Sequence, residues 1–405
     1  MTLKELGRRM LETHVERPKV LFVTPVCPGT ESHSGGLQVT LERIKSLAIY
    51  ADVTIAAIGQ AGDTSLTLAI PGVQAIHIAG EVKPRNAKTY IQSLLLGVPI
   101  SILRNKSREF LALCNRLESS KWDCIYADHW LVWPTVRGFK GSRRILHLHN
   151  AEHMLFARAA EKQKMPLKLP VALEANRVAA YLKRACSEAD EVHYLSSADQ
   201  EEVRKIGYLK EGLIFNPNVE IESRRYGRFG GNLLFAGTLS WQPNEEGLVW
   251  FIQEVSSILP RTLTLDLLGG QPTPRLQGLT DRNSGCQLHW QGRVPSVKPF
   301  YDAASIFIAP LLSGSGIKIK ILNALSHGLP VVTTSTGIEG FPREWRDCIQ
   351  VGDSPEEFAA AIRRLFYDRE LWERASSEAQ KYVAQNFSGA EFSRWCHALT
   401  TRNIV

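Results

Sequence analysis

Two successive series of alternating strand and helix patterns, separated by one turn-rich stretch, constrain this chain more than any other feature of its sequence. The first begins at Lys19: KVLFVTP reads as a buried strand, LQVTLERIKSLAIY as a helix and DVTIAAI as a second strand. CIYADH, RRILHLHN and EVHYLS continue as strands, and the helical VALEANRVAAYLKRACSEA precedes the last of them. After NPNVEIESRRYGRFGG the alternation restarts with strand NLLFAGTLS, helix NEEGLVWFIQEVSSIL, strand LTLDLLGG, a segment ending LHWQGRV, helix SVKPFYDAA and strand SIFIAP. Strands separated by helices predict parallel, doubly wound sheets, and a second opening strand predicts a second sheet. The expected class is α/β, with two Rossmann-like doubly wound domains facing a central cleft. The first domain is expected over residues 1–220, joined by a C-terminal helix at about 388–405, and the second over 221–387, with the hinge between Phe215 and Gly231. A length of 405 residues agrees, because a single hydrophobic core rarely grows past about 250–300 residues.

The stretch PLLSGSGIKIKILNALSHGLPVVTT, Pro310 to Thr334, forms one loop-helix-strand unit. Ser313, Gly314, Ser315 and Gly316 let the backbone approach a ligand, and the free N–H groups of the next helix suit an anion such as a phosphate. Ile317, Ile321, Leu322, Ala324 and Leu325 make its apolar stripe, Gly328 is a C-terminal stop, and Leu329 to Val332 reads as a buried strand. Steric needs alone also place glycines before helices, so the segment by itself leaves both readings open.

Composition narrows the class. Hydrophobic residues make up 44% and charged residues 22%, as in a folded globular chain. No apolar run approaches the roughly 20 residues of a spanning helix, and the N-terminus lacks a secretory h-region, so the expected location is cytoplasmic. Seven scattered cysteines without a Cys-x-x-Cys pair predict reduced thiols and no zinc site. The net charge of +7 falls in the first half, where residues 1–215 hold 29 Lys and Arg against 22 Asp and Glu. That bias admits an anionic partner, either a lipid-linked phosphate or an acidic membrane touched peripherally at its inner face. Scattered basic positions without a recognition motif argue against nucleic acid. Leu3, Leu6 and Met10 would share one side of a short N-terminal amphipathic helix.

The run LLFAGTLSWQPNEEGLVWFIQEVSSILP, with LTLDLLGG, LHWQGRV and PLLSGSGIKIKILNALSHGLPVVTTSTGIEGF, resembles the donor domain of GT-B fold glycosyltransferases of family 4. ILHLHNAEHMLFARAA, ALEANRVAAYLKRACSEADEVHYLSSAD and the Gly35-Gly36 loop resemble the acceptor domain of a bacterial subgroup of that family, so the likeness runs from Lys19 to about Phe387. The resemblance implies a metal-independent, retaining transferase that moves a sugar from a UDP- or GDP-linked donor to a sugar, lipid-linked or small-molecule acceptor, with no cofactor beyond the nucleotide-sugar substrate. It implies synthesis of a polysaccharide, glycolipid or glycosylated natural product. The alternative is a catalytically impaired GT-B nucleotide-binding protein.

His149 is the catalytic candidate, because it stands where the family places a histidine lining the sugar pocket; Glu152 is a second, as a hydroxyl acceptor or orienting partner. The donor-binding candidates are Gly35, Gly36, Gly237, Thr238, Asn244, Gly269, Ser313, Gly314, Ser315, Gly316, Ile317, Lys318 and Asn323. Lys318 and Lys320 lie two positions apart on one helix and so do not face the same ligand. The chain departs from the family pattern at three places. Ser315 and Asn323 stand where many members carry two glutamates, and Thr238 stands where many begin a basic pair. Asn244, in the segment Trp241-Gln242-Pro243-Asn244, also suits an N-cap. A front-face displacement needs positioning and electrostatics rather than protein bases, which matches the lack of an evident catalytic carboxylate pair.

Overall fold

A computed structural model describes residues 16–27, 29, 34–59, 65–166, 168–222, 227–279 and 285–401. The N-terminal amphipathic segment around Leu3, Leu6 and Met10 lies outside them. The chain divides into two compact units, one of residues 1–32, 36–215 and 389–405 and the other of residues 33–35 and 216–388.

The amino-terminal unit is built on seven parallel strands: β1 (Lys19–Thr24), β2 (Asp52–Ile58), β3 (Val73–Ala79), β4 (Cys124–Asp128), β5 (Arg143–Leu148), β6 (Glu191–Tyr194) and β7 (Leu213–Ile214). Their spatial order is β3-β2-β1-β4-β5-β6-β7. β1 is buried from Val20 to Thr24, as a central strand covered on both faces must be. Its helices include α1 (Gly35–Tyr50), α2 (Ala87–Leu95), α3 (Glu152–Glu161) and α4 (Lys168–Glu188).

The carboxy-terminal unit repeats the plan with six parallel strands: β8 (Asn232–Ala236), β9 (Thr264–Leu268), β10 (Gln287–Gly292), β11 (Ala304–Ala309), β12 (Val331–Thr333) and β13 (Ile349–Val351), in the order β10-β9-β8-β11-β12-β13. Helix α5 (Gln242–Trp250) passes into a π turn at Phe251–Val255 and a 3-10 turn at Ser256–Ile258, so the long helix expected there keeps its course but not its hydrogen-bond period. Next come α6 (Ile319–Ser326), α7 (Pro355–Tyr367) and α8 (Arg369–Asn386). β12 begins two residues later than its apolar run suggests, because Pro330 has no N–H to give the ladder.

The last helix, α9 (Ala390–Thr401), returns to the amino-terminal unit and buries Phe392 and Cys396 against Val20, Phe22 and Phe215. Arg43 lies under it, 4.2 Å from the Phe392 ring, and donates to the Phe215 carbonyl at 2.6 Å. None of the seven cysteines is in a disulfide. Among the described residues no helix is long and apolar enough to cross a membrane.

In each sheet the order reverses beside the first strand, between β1 and β4 in one and between β8 and β11 in the other. Open α/β sheets bind ligands outside the carboxyl ends of their strands at such a reversal. The chemistry-bearing side chains lie at these two places.

Candidate active site

In the amino-terminal unit the reversal point is organised by Asp128, the last residue of β4, whose side chain is fully buried. Its Oδ1 accepts hydrogen bonds from His147 Nδ1 and His149 Nε2, each at 2.8 Å. Its Oδ2 accepts from Thr40 Oγ1 at 2.6 Å and from Thr24 Oγ1 at 3.4 Å. One carboxylate therefore ties together the ends of β1, β4 and β5 and the second turn of α1. Burial alone would raise its pKa, but the charge of His149 and the two histidine hydrogen bonds outweigh burial and hold it well below the ordinary carboxylate range.

This hub fixes the histidine tautomers. An ionised carboxylate only accepts, so His147 and His149 both present N–H to it. Burial keeps His147 neutral, well below the usual imidazole range, and its buried Nε2 has no partner. His149, one residue beyond β5, gives its Nε2–H to Asp128, so its Nδ1 keeps a lone pair and can only accept while the ring is neutral. A Cβ on Gly36 would lie 3.7 Å from that Nδ1, so the glycine there keeps the imidazole edge uncovered. Asp128, His147 and His149 also form a group able to hold a metal, their ligand atoms lying within 4.8 Å of one another. The 2.8 Å separations are those of direct hydrogen bonds.

Glu152, at the start of α3, faces His129 rather than His149, with Oε1 3.5 Å from His129 Nε2. His129 Nδ1 accepts from the Leu131 amide at 3.3 Å, which leaves Nε2 as the protonated nitrogen. Burial raises the Glu152 pKa, but the hydrogen bond from His129, together with smaller contributions from its neighbours, outweighs burial and holds the carboxyl below its ordinary value, so it stays ionised. His129 has φ 119°, the one positive value for a residue other than glycine among the described residues. Strain of this kind gathers at functional sites.

In the carboxy-terminal unit the reversal point joins three loops. After β8, the Gly237 amide donates to Leu268 O at 3.0 Å, and a Cβ on Gly269 would sit 2.2 Å from Gly237 O, so Gly269 must lack a side chain. Gly247 in α5 is under the same constraint, since its Cβ would fall 1.7 Å from Pro310 O. Thr238 is exposed beside them.

Asn244 is not the N-cap that its neighbourhood suggests. Trp241 holds that position, and Asn244 lies inside the first turn of α5, buried. Its Nδ2 donates to Thr238 O at 2.8 Å, and its Oδ1 accepts from Lys320 Nζ. Tertiary packing has turned a local capping residue into a cross-link between α5 and α6.

Gly314 and Gly316 have φ 125° and 67°, the left-handed region that glycine alone adopts freely. Ser313 Oγ donates to Glu246 Oε2 at 3.1 Å, and the buried Ser315 Oγ has no partner. Ile317 is buried behind the loop, and Asn323 lies half-buried in the second turn of α6. No side chain caps α6, and within its first turn the Ile321 amide donates to Lys318 O at 2.9 Å.

The two lysines separate as their spacing requires. Lys318 is buried and turns its Nζ back to Gly316 O at 2.6 Å. Lys320 lies over the Phe235 and Trp241 rings, 5.0 and 5.5 Å from their centroids. Burial first, and the Lys318 charge second, bring the Lys320 pKa down to about 7. Asp128 and His129 are absent from the candidates that sequence alone supplied, and Lys320 entered only as an alternative to Lys318. A carboxylate ending CIYADH at a strand terminus was the available signal for Asp128.

Two parallel sheets, each reversing its order beside its first strand, are the architecture of the GT-B fold. Residues 230–368 match the family model described as Glycosyl transferases group 1. Anabaena HepE, solved in complex with UDP and glucose, aligns over 96% of this chain and 100% of its own, with TM-score 0.66 at 14% identity. Sucrose-phosphate synthase from Thermosynechococcus elongatus aligns over 95% and 99%, with TM-score 0.68 at 13% identity. An uncharacterized 44.6 kDa protein in the cps region of Klebsiella pneumoniae is 21% identical over 388 residues, 91% of this chain and 96% of that protein.

Proposed function

We propose that the chain is a retaining glycosyltransferase that moves a sugar from a UDP- or GDP-linked donor to an acceptor hydroxyl without a resident metal. The observation that carries this reading is the anion cradle of the carboxy-terminal unit: the loop with Gly314 and Gly316, the uncapped start of α6 and the amine of Lys320. Amide dipoles and one amine near neutral pKa are suited to a diphosphate whose charge grows as the glycosidic bond breaks. The HepE structure, which contains UDP and glucose, supports the choice of a nucleotide-linked donor.

The amino-terminal unit supplies recognition of the sugar. His149 Nδ1 accepts a hydrogen bond from a sugar hydroxyl, and the Asp128 carboxylate holds the ring in the tautomer that leaves Nδ1 free to do so. Glu152 acts on His129 and supports the wall beside it. In the transfer step the acceptor oxygen bonds to the anomeric carbon on the face the phosphate leaves. The bond from that carbon to the phosphate oxygen breaks, and the departing phosphate takes the acceptor proton. The acceptor class is a sugar or a lipid-linked or small-molecule hydroxyl, in polysaccharide, glycolipid or natural-product synthesis. Cysteines held outside disulfides fit a reducing, cytoplasmic setting.

The test is a panel of UDP- and GDP-sugars, read by ligand-induced thermal stabilisation and by release or transfer of the sugar. Stabilisation with sugar release or transfer supports the reading. Tight binding with no release or transfer supports the impaired nucleotide-binding alternative, which Ser315 and Asn323 in place of the usual glutamates favour. Binding that survives a bulky residue at Gly316 removes the diphosphate assignment.

A further inference from the structure

Three arginines of the carboxy-terminal unit converge on one cavity that the transfer site does not use. The cavity flanks β13, the outermost strand of its sheet, has a volume of about 370 Å³ and has Arg346, Arg364 and Arg374 in its wall. Each arginine comes from a different element. Arg346 belongs to the 3-10 turn Arg343–Asp347 that precedes β13, Arg364 to the last turn of α7 and Arg374 to the second turn of α8. Leu371 lies three positions before Arg374, hence on the same face of α8, and packs against the core of the unit. That packing holds the Arg374 face against the cavity, while all three guanidinium-bearing residues stay exposed to solvent.

Other arginines of these two helices are engaged with the protein. Arg369 pairs with Glu373 at 3.4 Å, and Arg363 donates to the Ile258 carbonyl at 2.9 Å. The three at the cavity make no ion pair among the described residues. Arg346 lies 5.0 Å from the centre of the Trp345 ring, and Arg364 donates to Gln350 Oε1 at 3.1 Å. These contacts orient the guanidinium groups and leave their charge unmatched. Asp347 is the one carboxylate among the described lining residues, so three positive charges face one negative, a net +2. Like charges gathered around one concavity repel, and an anion seated among them turns that repulsion into attraction.

We propose that this cavity binds a phosphorylated small molecule of sugar-phosphate size, at a site separate from the cradle formed by Gly314, Gly316 and Lys320. A guanidinium presents paired N–H donors in one plane, the geometry that meets two oxygens of a phosphate. The volume falls among small-molecule sites, which run from about 300 to 1,000 Å³, and is more than a lone phosphate fills. Trp345, Leu371 and Val351 supply an apolar part of the wall for the body that carries the phosphate. β13 offers only three residues to an added strand, which disfavours an acidic peptide as the occupant. The inference goes beyond the transfer reaction and holds whichever nucleotide the cradle takes.

Isothermal titration calorimetry of the full chain with glucose 1-phosphate, inorganic phosphate and glucose tests it. Glucose 1-phosphate should bind more tightly than inorganic phosphate, and glucose should not bind. Arg364→Gln with Arg374→Gln should weaken glucose 1-phosphate binding at least ~10-fold, because two charge-assisted contacts are lost. Lys320→Met, which alters the cradle alone, should leave that binding within about twofold. Both substituted arginines are exposed, and the melting temperature of the double variant shows that it remains folded. No binding of glucose 1-phosphate by the parent, or binding undiminished in the folded double variant, overturns the proposal. Loss in Lys320→Met with retention in the double variant also overturns it and assigns the phosphate to the cradle. Inorganic phosphate bound as tightly as glucose 1-phosphate removes the phosphorylated body from the assignment.

Discussion

Lys320→Met is the substitution that most directly tests the anion cradle. The amine titrates at about 7 in the free protein because burial and Lys318 penalise its charge. At pH 8 only ~10% of it is therefore protonated. A bound diphosphate favours the charged form and raises that pKa, so binding at pH 8 draws ~0.9 proton from the buffer. Free UDP is fully ionised at that pH, its last phosphate pKa being about 6, and supplies none of this uptake. Isothermal titration calorimetry with UDP and GDP in two buffers of different ionisation enthalpy measures the uptake directly. The parent should show close to one proton at pH 8 and much less at pH 6. Affinity should fall as pH rises above about 7, because the proton must be acquired at growing cost. Lys320→Met should abolish the uptake and weaken binding ~10–150-fold, the loss of a charge-assisted contact of about 1.5–3 kcal/mol. Methionine keeps the stem that covers Phe235 and Trp241, so the fold should persist. Equal affinity and equal proton uptake in the two proteins would refute the placement of the diphosphate.

Other substitutions separate the roles assigned to each unit. His149→Ala should leave UDP affinity within about twofold and remove most sugar transfer, as seen by comparing calorimetry with product formation; the transfer loss is expected to be ~100-fold or more. Asp128→Asn should cost about 2–3 kcal/mol of stability in denaturant titration, since an ionised acceptor of four hydrogen bonds is lost. The Asp128 pKa is depressed in the folded state, so its contribution is present above the ordinary carboxylate range and fades as pH falls through the folded value. The variant should therefore lose stability less steeply than the parent in acid. Gly247→Ala should lower the melting temperature, because its Cβ would collide with Pro310 O at 1.7 Å, and overpacking against backbone costs about 1–3 kcal/mol. An unchanged melting temperature would show that α5 can shift away from the loop.

Much of the fold was legible because its signals are local. KVLFVTP, DVTIAAI and SIFIAP are short enough, and apolar enough, that only buried strands accommodate them, and the helices between them require parallel pairing. The glycines of Ser313 to Gly316 marked a loop of free backbone in the same way, and Gly314 and Gly316 take the left-handed region that this freedom allows. The boundaries slipped where a neighbour outside the window decided them, as with Pro330 before β12 and the change of helical period after Trp250.

What the amino-acid order determined by itself was therefore the alternation, the two sheets and the places where backbone must come close to backbone. The tertiary structure decided which side chains became chemical. Asp128 lies 88 residues from Thr40 and 21 from His149, and nothing in any short window tells that one carboxylate serves both. Asn244 reads as a helix cap until α6 brings Lys320 against it from 76 residues away, and no short window tells that two rings cover the Lys320 amine. Hydrogen-bond direction, desolvation and pKa depend on distances through space, and these exist only once the chain has folded.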